Sequence, residues 1–281
     1  MIAKRIEQLN VLDPILDPLQ RAANRVIPEE SRVKDLLSGT WLGHPLHPLL
    51  TDVVIGAWTS ALLLDLLGGE GAEGSADGLV SVGILASVPT AAAGVSDWAD
   101  LFDGDRRAGG IHAFANTGAL ALQGLSAAAR RRGDRRRGVV LSATAYAVMS
   151  FSGWLGGHLS YARGVGVNQT AFDDAPTDWT PVLDAGELLD DTLTGAEADG
   201  VGVLLVRRYS HVHAMADRCT HRGCALHEGT LNDDDTITCP CHGSTFRLDG
   251  SIVKGPATSP QPSYDARVRD GKVEIRAEQT A

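Results

Sequence analysis

Cysteine and histidine side chains near the C-terminus have the types and spacing of a metal-binding site. The segment Cys219-Thr-His-Arg-Gly-Cys224 is followed, fourteen residues later, by Cys239-Pro-Cys-His-Gly-Ser244. Thiolates are soft ligands and imidazoles are borderline ones. Two cysteines and two histidines can therefore bind either a tetrahedral zinc ion or an iron–sulfur cluster with two histidines on one iron. The ligand types alone leave both interpretations open.

These two segments resemble the Rieske [2Fe-2S] family, in particular its disulfide-containing branch in cytochrome bc complexes. The resemblance covers residues 182–281 and implies one [2Fe-2S] cluster in an all-β domain. It implies the following roles: Cys219 and Cys239 bind the inner iron, His221 and His242 bind the outer iron, Cys224 forms a disulfide with Cys241, Ser244 hydrogen-bonds a bridging sulfide, and Gly255-Pro256-Ala257 is the proline loop over the cluster. A zinc ribbon, which remains the alternative, does not require the serine or the Gly-Pro element.

Two positions depart from the high-potential members of that family. Phe246 stands where they carry a tyrosine whose hydroxyl donates a hydrogen bond to a ligand sulfur, a contact that stabilises the added negative charge. We therefore expect a midpoint potential below that of the bc-complex proteins, within the range of about −150 to +300 mV for Rieske centres. Arg222 stands where quinol-docking relatives have an apolar residue, which argues against the same quinol pocket.

Short apolar runs separated by turn residues must position these ligands. They predict five strands within residues 182–281, at Val201–Val206, His211–Ala216, Thr236–Cys239, Ser251–Lys254 and Lys272–Arg276. Residues 163–181 are rich in glycine, proline and polar side chains, and they predict a linker. Residues 1–40 predict an amphipathic helical segment interrupted by prolines. His211, His213 and His227 lie outside the motif, and we expect them to be ordinary strand or surface residues.

The middle of the chain predicts a membrane domain. Charged residues are absent from Leu79–Ser96, Ala108–Ala129 and Gly138–Ala162, runs of 18, 22 and 25 residues. Each run can cross a hydrocarbon core about 30 Å thick as a helix. A fourth apolar stretch, 46–67, carries Asp52 and Asp65 near its ends. The fold class is therefore a multi-domain chain, with an α-helical four-span membrane bundle at 41–162 followed by an all-β Rieske-type domain. No internal repeat is evident in the sequence.

Ionisable side chains lie at the ends of these runs, and alternating spans would gather them in one leaflet. They are His44, His47, Asp52, Asp97, His112 and His158. Ionisable groups in a bilayer are costly and are usually functional. Three interpretations stay open for this bundle site: helix caps at the headgroups, a b-type haem between two histidines, or a quinone or metal site.

The same half of the chain resembles a small four-span bacterial membrane family of unknown function. The resemblance rests on Gly43-His-Pro-Leu-His-Pro48 and on the stretch from Gly156-Gly157-His158 to Gly164-Val-Gly-Val167. It covers roughly residues 38–167 and implies a membrane location without implying an activity. Fusion of this family to Rieske domains is familiar.

The signals for sidedness conflict. Six arginines fall within the eight residues 130–137, which places that short loop in the cytoplasm and the Rieske domain outside. The N-terminal tail also carries six lysines or arginines and has no apolar signal core, which argues the opposite. A structural disulfide persists more readily in an oxidising compartment. We therefore expect a multi-pass protein of the bacterial cytoplasmic membrane with its Rieske domain extracytoplasmic.

Taken together, these residues predict a membrane-anchored one-electron carrier with a redox protein or quinone as partner. The alternatives are a membrane quinol oxidoreductase with a quinone or b-haem site in the bundle, and an electron donor to an oxygenase. A fourth interpretation is a redox sensor whose bundle is only an anchor. The net charge of −10, without a basic patch interleaved with aromatic residues, argues against nucleic acid as partner and leaves membrane lipid as the expected surroundings. The oligomeric state is not indicated.

Overall fold

The computed structural model describes residues 2–29 and 31–277. The chain divides into two compact units, which we describe separately. The helical unit is Met1–Pro28 with Pro45–Val165, and the β unit is Glu29–His44 with Gly166–Ala281. The short segment 29–44 thus groups with the β unit, although its sequence neighbours on both sides belong to the helical unit.

Seven α-helices lie within the described residues. They are α1 (Ile2–Glu7), α2 (Asp13–Val26), α3 (Arg32–Ser38), α4 (Leu46–Leu67), α5 (Glu73–Ala99), α6 (Asp103–Arg131) and α7 (Arg135–Gly157), and a π turn at His158–Ala162 extends α7. In the helical unit α4 packs against α5 and α6 packs against α7, which makes two helical hairpins.

Three of these helices are long and apolar enough to cross a membrane. They are Leu46–Leu67, Glu73–Ala99 and Arg135–Ala162, with mean hydropathies of 1.6, 1.7 and 1.3. Their outer faces leave large apolar side chains uncovered, such as Leu85 and Val88 at 73% and 67% exposure. An apolar surface of this kind suits lipid contact. The fourth predicted span is α6, whose otherwise apolar run contains His112, Asn116 and Gln123, and its crossing stays a prediction.

A buried ion-pair cluster joins all four long helices at one end of the helical unit. Arg130 of α6 pairs with Asp65 of α4, and the two side chains are 2% and 0% exposed. Arg130 also reaches Asp77 of α5 at 2.7 Å, and Arg135 of α7 reaches Asp65 at 2.6 Å. Removing either Arg130 or Asp65 leaves a buried charge uncompensated, so this end of the helical unit depends on that pair.

The β unit contains two antiparallel sheets. The strands are β1 (Thr180–Asp184), β2 (Thr194–Ala198), β3 (Val201–Arg208), β4 (His211–Ala216), β5 (Thr230–Leu231), β6 (Thr236–Thr238), β7 (Thr245–Arg247), β8 (Ile252–Lys254), β9 (Ser263–Arg269) and β10 (Lys272–Ala277). The large sheet has the order β1-β10-β9-β4-β3-β2, and the small sheet has the order β5-β6-β7-β8. The five predicted strands correspond to β3, β4, β6, β8 and β10. The other five are short or polar, and apolar patterning did not reveal them.

Candidate metal centre

Two loops of the β unit close in the same way around the cysteine motifs. In the first, the Cys219 N–H donates to Cys224 O at 2.9 Å and the Gly223 N–H donates to Cys219 O at 2.8 Å. In the second, the Cys239 N–H donates to Ser244 O at 2.8 Å and the Gly243 N–H donates to Cys239 O at 3.2 Å. Both glycines have positive φ, +77° and +74°. Glycine adopts this conformation without steric cost, so the two motifs fold into matching turns.

A disulfide connects the two loops. The sulfurs of Cys224 and Cys241 are 2.05 Å apart and their Cα atoms are 6.5 Å apart. This confirms the disulfide that the resemblance implied. The other two cysteines, Cys219 and Cys239, are free thiols at 1% and 4% exposure. The disulfide therefore holds together two loops that each contribute one buried thiol.

The two motif histidines lie side by side. The ring centres of His221 and His242 are 5.0 Å apart, and the ring planes are nearly perpendicular at 86°. With metal–nitrogen bonds of about 2 Å, two imidazoles on one tetrahedral metal have ring centres about 5 Å apart. Burial, followed by the neighbouring His242 and Lys34, lowers the pKa of His221 well below its usual value. The imidazole is then neutral, which is the form that binds a metal.

The two free thiols form a second pair. A hydrogen bond from Cys219 is the main reason that the pKa of Cys239 is lowered, and the backbone N–H groups of Cys241 and His242 contribute. The thiolate is the form that binds iron. One pair of buried sulfurs and one pair of adjacent imidazoles is the donor set of a Rieske [2Fe-2S] cluster, so the residues present fit that group.

The proline loop is anchored to the second motif by Ser244. The Ser244 side chain is fully buried, and its Oγ accepts a hydrogen bond from the Ala257 N–H at 3.0 Å. Accepting that bond leaves the hydroxyl hydrogen available for another acceptor, as the expected contact with a sulfide requires. The role of Ser244 toward a cluster stays a prediction.

Sequence reasoning missed a buried amide that braces the first loop. Gln261 is 2% exposed, and its Nε2 donates to Ala216 O and Arg218 O, both at 2.7 Å. Its Oε1 accepts from the Thr220 N–H at 3.2 Å. A single glutamine outside the motif carries no sequence signal of this role.

Helix α3 covers the other side of the proline loop, which the sequence also did not indicate. The Gly255 N–H donates to Asp35 Oδ1 at 2.8 Å. A Cβ atom on Gly255 would lie 2.1 Å from Thr40 Oγ1, so glycine is needed for this close approach. Lys34 is 1% exposed, and its charge contributes to the lowered pKa of His221. The segment 29–44 is therefore part of the candidate metal centre.

The two residues that depart from the high-potential pattern lie in the core and in the first loop. Phe246 is fully buried in the core around the small sheet, together with Cys219, Cys239 and Ile237. Arg222 is half-buried in the first loop. Of the remaining histidines of this unit, His227 Nδ1 lies 2.7 Å from Asp217 Oδ2.

The structure brings together two of the six residues proposed for the bundle site. The ring centres of His47 and His112 are 6.2 Å apart. His158 instead lies against Glu7, with Nε2 and Oε1 2.6 Å apart. Asp52 is exposed and Asp97 is half-buried, while His44 groups with the β unit.

Comparison with known proteins supports both halves of this description. Residues 178–265 match the Rieske [2Fe-2S] domain, and residues 43–169 match a predicted membrane protein family (DUF2231). The chain is 36% identical over 73 residues to the cytochrome b6-f complex iron-sulfur subunit of Chlorobaculum tepidum, covering 26% of this chain and 39% of that protein. It is 33% identical over 102 residues to Ferredoxin CarAc of Metapseudomonas resinovorans, covering 36% of this chain and 94% of that protein. A solved ferredoxin of carbazole 1,9a-dioxygenase from Nocardioides aromaticivorans IC177 aligns at 24% identity with a TM-score of 0.34, covering 36% of this chain and all of that one.

The chain belongs to the Rieske [2Fe-2S] family through its β unit, and it carries a DUF2231 membrane domain before that unit. The cofactor is a [2Fe-2S] cluster, as the sequence predicted. The chain spans 39% of the length of the Chlorobaculum subunit.

Proposed function

We propose that this protein is a one-electron carrier anchored in the bacterial cytoplasmic membrane by its helical unit. The observation that carries the proposal is the pair of matching loops, joined by the Cys224–Cys241 disulfide, that places two thiols beside each other and two imidazoles beside each other. When bound, a [2Fe-2S] cluster supplies a site that takes up and releases one electron at a time.

The protein's own residues exclude water from that site and restrict the movement of its ligands. In this proposal Cys219 and Cys239 hold one iron from the buried core, and His221 and His242 hold the other through neutral imidazoles. Burial of both thiols excludes water from the sulfur side. Rigid turns and the disulfide limit how far the ligands can move when the charge changes, which favours fast electron exchange.

The side of the membrane is also a proposal. Arg131, Arg132, Arg136 and Arg137 are exposed in the loop between α6 and α7, while Arg130 and Arg135 pair with carboxylates of the bundle. Short basic loops face the cytoplasm, and a stable disulfide favours an oxidising compartment. Both features support an extracytoplasmic Rieske domain. Labelling of an Arg136→Cys variant in intact cells by an impermeant thiol reagent would contradict this orientation.

A second candidate function is electron donation to an oxygenase. It is favoured by the match to Ferredoxin CarAc, of which this chain covers 94%, and by the match to the 3-phenylpropionate/cinnamic acid dioxygenase ferredoxin subunit of Escherichia coli, which is 39% identical over 64 residues. A buried phenylalanine at position 246, with no hydroxyl to stabilise added charge, also suits a carrier of lower potential. A midpoint potential at the high end of the Rieske range would argue against this candidate.

The full-length chain purified in detergent tests the proposal. We expect two irons and two acid-labile sulfides per chain, a Rieske-type electron paramagnetic resonance (EPR) signal after dithionite reduction, and complete reoxidation by one equivalent of a one-electron oxidant. Cys219→Ser and His242→Ala should each abolish the signal. His213→Ala, which changes a histidine outside both loops, should leave it unchanged. One zinc ion per chain and no EPR signal would overturn the proposal.

A further inference from the structure

In each of the two helical hairpins, one imidazole ring packs against a backbone carbonyl and a glycine of the hairpin's second helix. In the first hairpin, His47 Nδ1 lies 2.9 Å from Thr90 O. In the second, His112 Nδ1 lies 2.8 Å from Ser152 O. Four residues after each of these carbonyls the chain has a glycine, Gly94 in the first hairpin and Gly156 in the second. A Cβ on Gly94 would lie 2.8 Å from the nearest atom of the His47 ring, and a Cβ on Gly156 would lie 3.1 Å from the His112 ring.

The correspondence extends along both hairpins. Eleven residues after each histidine stand Trp58 and Gln123, and both reach the neighbouring helix. Trp58 Nε1 donates to Val80 O at 3.4 Å, and Gln123 Oε1 accepts from Ser142 Oγ at 3.1 Å. Val80 lies ten residues before Thr90, and Ser142 lies ten residues before Ser152. The bundle is therefore an internal structural repeat, and the two imidazoles occupy equivalent positions in it.

The hydrogen bonds fix the protonation of both rings. A carbonyl oxygen only accepts, so Nδ1 carries the hydrogen and Nε2 keeps a lone pair. Asn116 agrees with this assignment, because its Nδ2 lies 3.0 Å from His112 Nε2 and donates to that lone pair. A metal on His112 Nε2 must therefore displace the Asn116 amide. An Nδ1–H held by a backbone carbonyl is the arrangement that orients metal-binding histidines. Both rings therefore keep the Nε2 lone pair as the metal-binding atom, and on His112 Asn116 is the group that a metal replaces.

The spacing of the rings indicates the geometry of that ligand. The ring centres of His47 and His112 are 6.2 Å apart, whereas those of His221 and His242 are 5.0 Å apart. With metal–nitrogen bonds of about 2 Å, imidazoles on opposite sides of one metal have ring centres about 6 Å apart. In the part of the chain that the structure describes, no group of three or more His, Cys, Asp or Glu side chains is placed to hold a single ion. The pair therefore has the spacing of two imidazoles on opposite sides of one metal.

We propose that His47 and His112 bind one transition-metal centre between them, each through Nε2. A bare metal ion and the iron of a haem share this chemistry, since both accept two opposed imidazoles. The site is separate from the [2Fe-2S] cluster and does not depend on it. It gives the membrane domain a chemical role besides anchoring.

Metal content of the full-length protein tests the proposal. The chain is produced with haem precursor and trace metals, purified in detergent, and examined by elemental analysis and absorption spectroscopy. We expect one metal per chain beyond the two irons of the cluster. A Soret band with a pyridine haemochrome identifies haem, and an extra metal without these bands identifies a bare ion. Either result supports the site.

Matched variants locate the metal. His47→Ala and His112→Ala should each lower the extra metal at least tenfold, while His158→Ala, in the same unit but against Glu7, should retain it. His112→Met should keep a metal with a shifted spectrum, which separates ligand loss from unfolding. Cys219→Ser should lose the cluster signal and keep the extra metal, so failure of one site is distinguishable from failure of the other. A wild-type protein with only the two cluster irons, or metal retained in both alanine variants, would overturn the proposal. So would a quinone that co-purifies without metal and is lost on His47→Ala.

Discussion

The Gly255 N–H donates a hydrogen bond to Asp35 Oδ1 at 2.8 Å, across 220 residues of sequence. Gly255 begins the proline loop, and Asp35 lies on a seven-residue helix that precedes the first membrane span. Asp35 is half-buried, and Ser38 and Lys34 of the same helix are buried. The segment before the membrane domain is therefore a structural part of the cluster-binding unit.

Loss of this hydrogen bond should destabilise the proline loop. Asp35→Ala leaves the Gly255 N–H without its carboxylate partner, at a cost of about 1–3 kcal/mol. We expect the variant to lose the cluster faster on heating. The decrease of the cluster's visible absorption measures this loss. Asp35→Asn keeps an oxygen acceptor and should show less than half of this effect. Equal behaviour of the two variants would show that the contact is unimportant.

Lys34 should raise the midpoint potential of the cluster. A buried positive charge near His221 stabilises the reduced state, which carries one more negative charge. Lys34→Met should lower the potential by about 40 mV, the equivalent of about 1 kcal/mol for one electron. An EPR-monitored redox titration measures this change. The control is Arg32→Gln, an exposed charge on the same helix, which should shift the potential much less.

A hydroxyl at position 246 should raise the midpoint potential of the cluster, whereas loss of Lys34 should lower it. Phe246→Tyr adds a donor within the core that contains both ligand cysteines, and a hydrogen bond of about 1 kcal/mol raises the potential by about 40 mV. Phe246→Leu changes packing without adding a donor and should not raise it. If tyrosine and leucine shift the potential equally, packing is responsible and the hydrogen-bond explanation fails.

The buried ion pair should be more important to the helical unit than its exposed neighbours. Arg130→Met leaves Asp65 without its most buried partner and should lower the free energy of unfolding by about 3 kcal/mol. The double variant Arg130→Met with Asp65→Leu removes both charges and should recover much of the loss. Thermal unfolding in detergent compares them. A double variant less stable than the single one would contradict the prediction.

Acid should loosen the packing of α2 against the start of α6. Hydrogen bonding to Arg107, followed by that to Arg106, lowers the pKa of Asp13 from 3.8 to about 2. A carboxylate with a lowered folded-state pKa stabilises the fold above pH 3.8, and this stabilisation is lost as the pH falls toward 2. The protection factors of the α2 amides, which correct for the intrinsic exchange rate at each pH, should therefore fall over that range. In Asp13→Asn the protection factors should already be low at pH 5 and should change little on acidification.

The features that could be predicted from the sequence are those that depend on residues close together along the chain. The ligand loops follow from residues within six positions of each other, and the matching glycines at 223 and 243 fix their turns. The roles of Asp35 and Lys34 could not be predicted, because they depend on contacts with residues more than 180 positions away. The bundle site stays a prediction, and span ends alone, which placed His47 and Asp52 in one leaflet, do not fix which side chains share a face. Five residues of helix rotate a side chain by about 140°, so Asp52 lies on a different face from His47.

Residues 29–44 also determine how this protein can be studied in solution. Truncation at Gly166, the simplest way to obtain a soluble fragment, removes the helix that contacts Gly255 and the lysine near His221. Midpoint potentials and unfolding temperatures measured on such a fragment would describe a Rieske domain that lacks these two contacts. Joining residues 29–44 to it through a flexible tether would restore both contacts without the membrane helices.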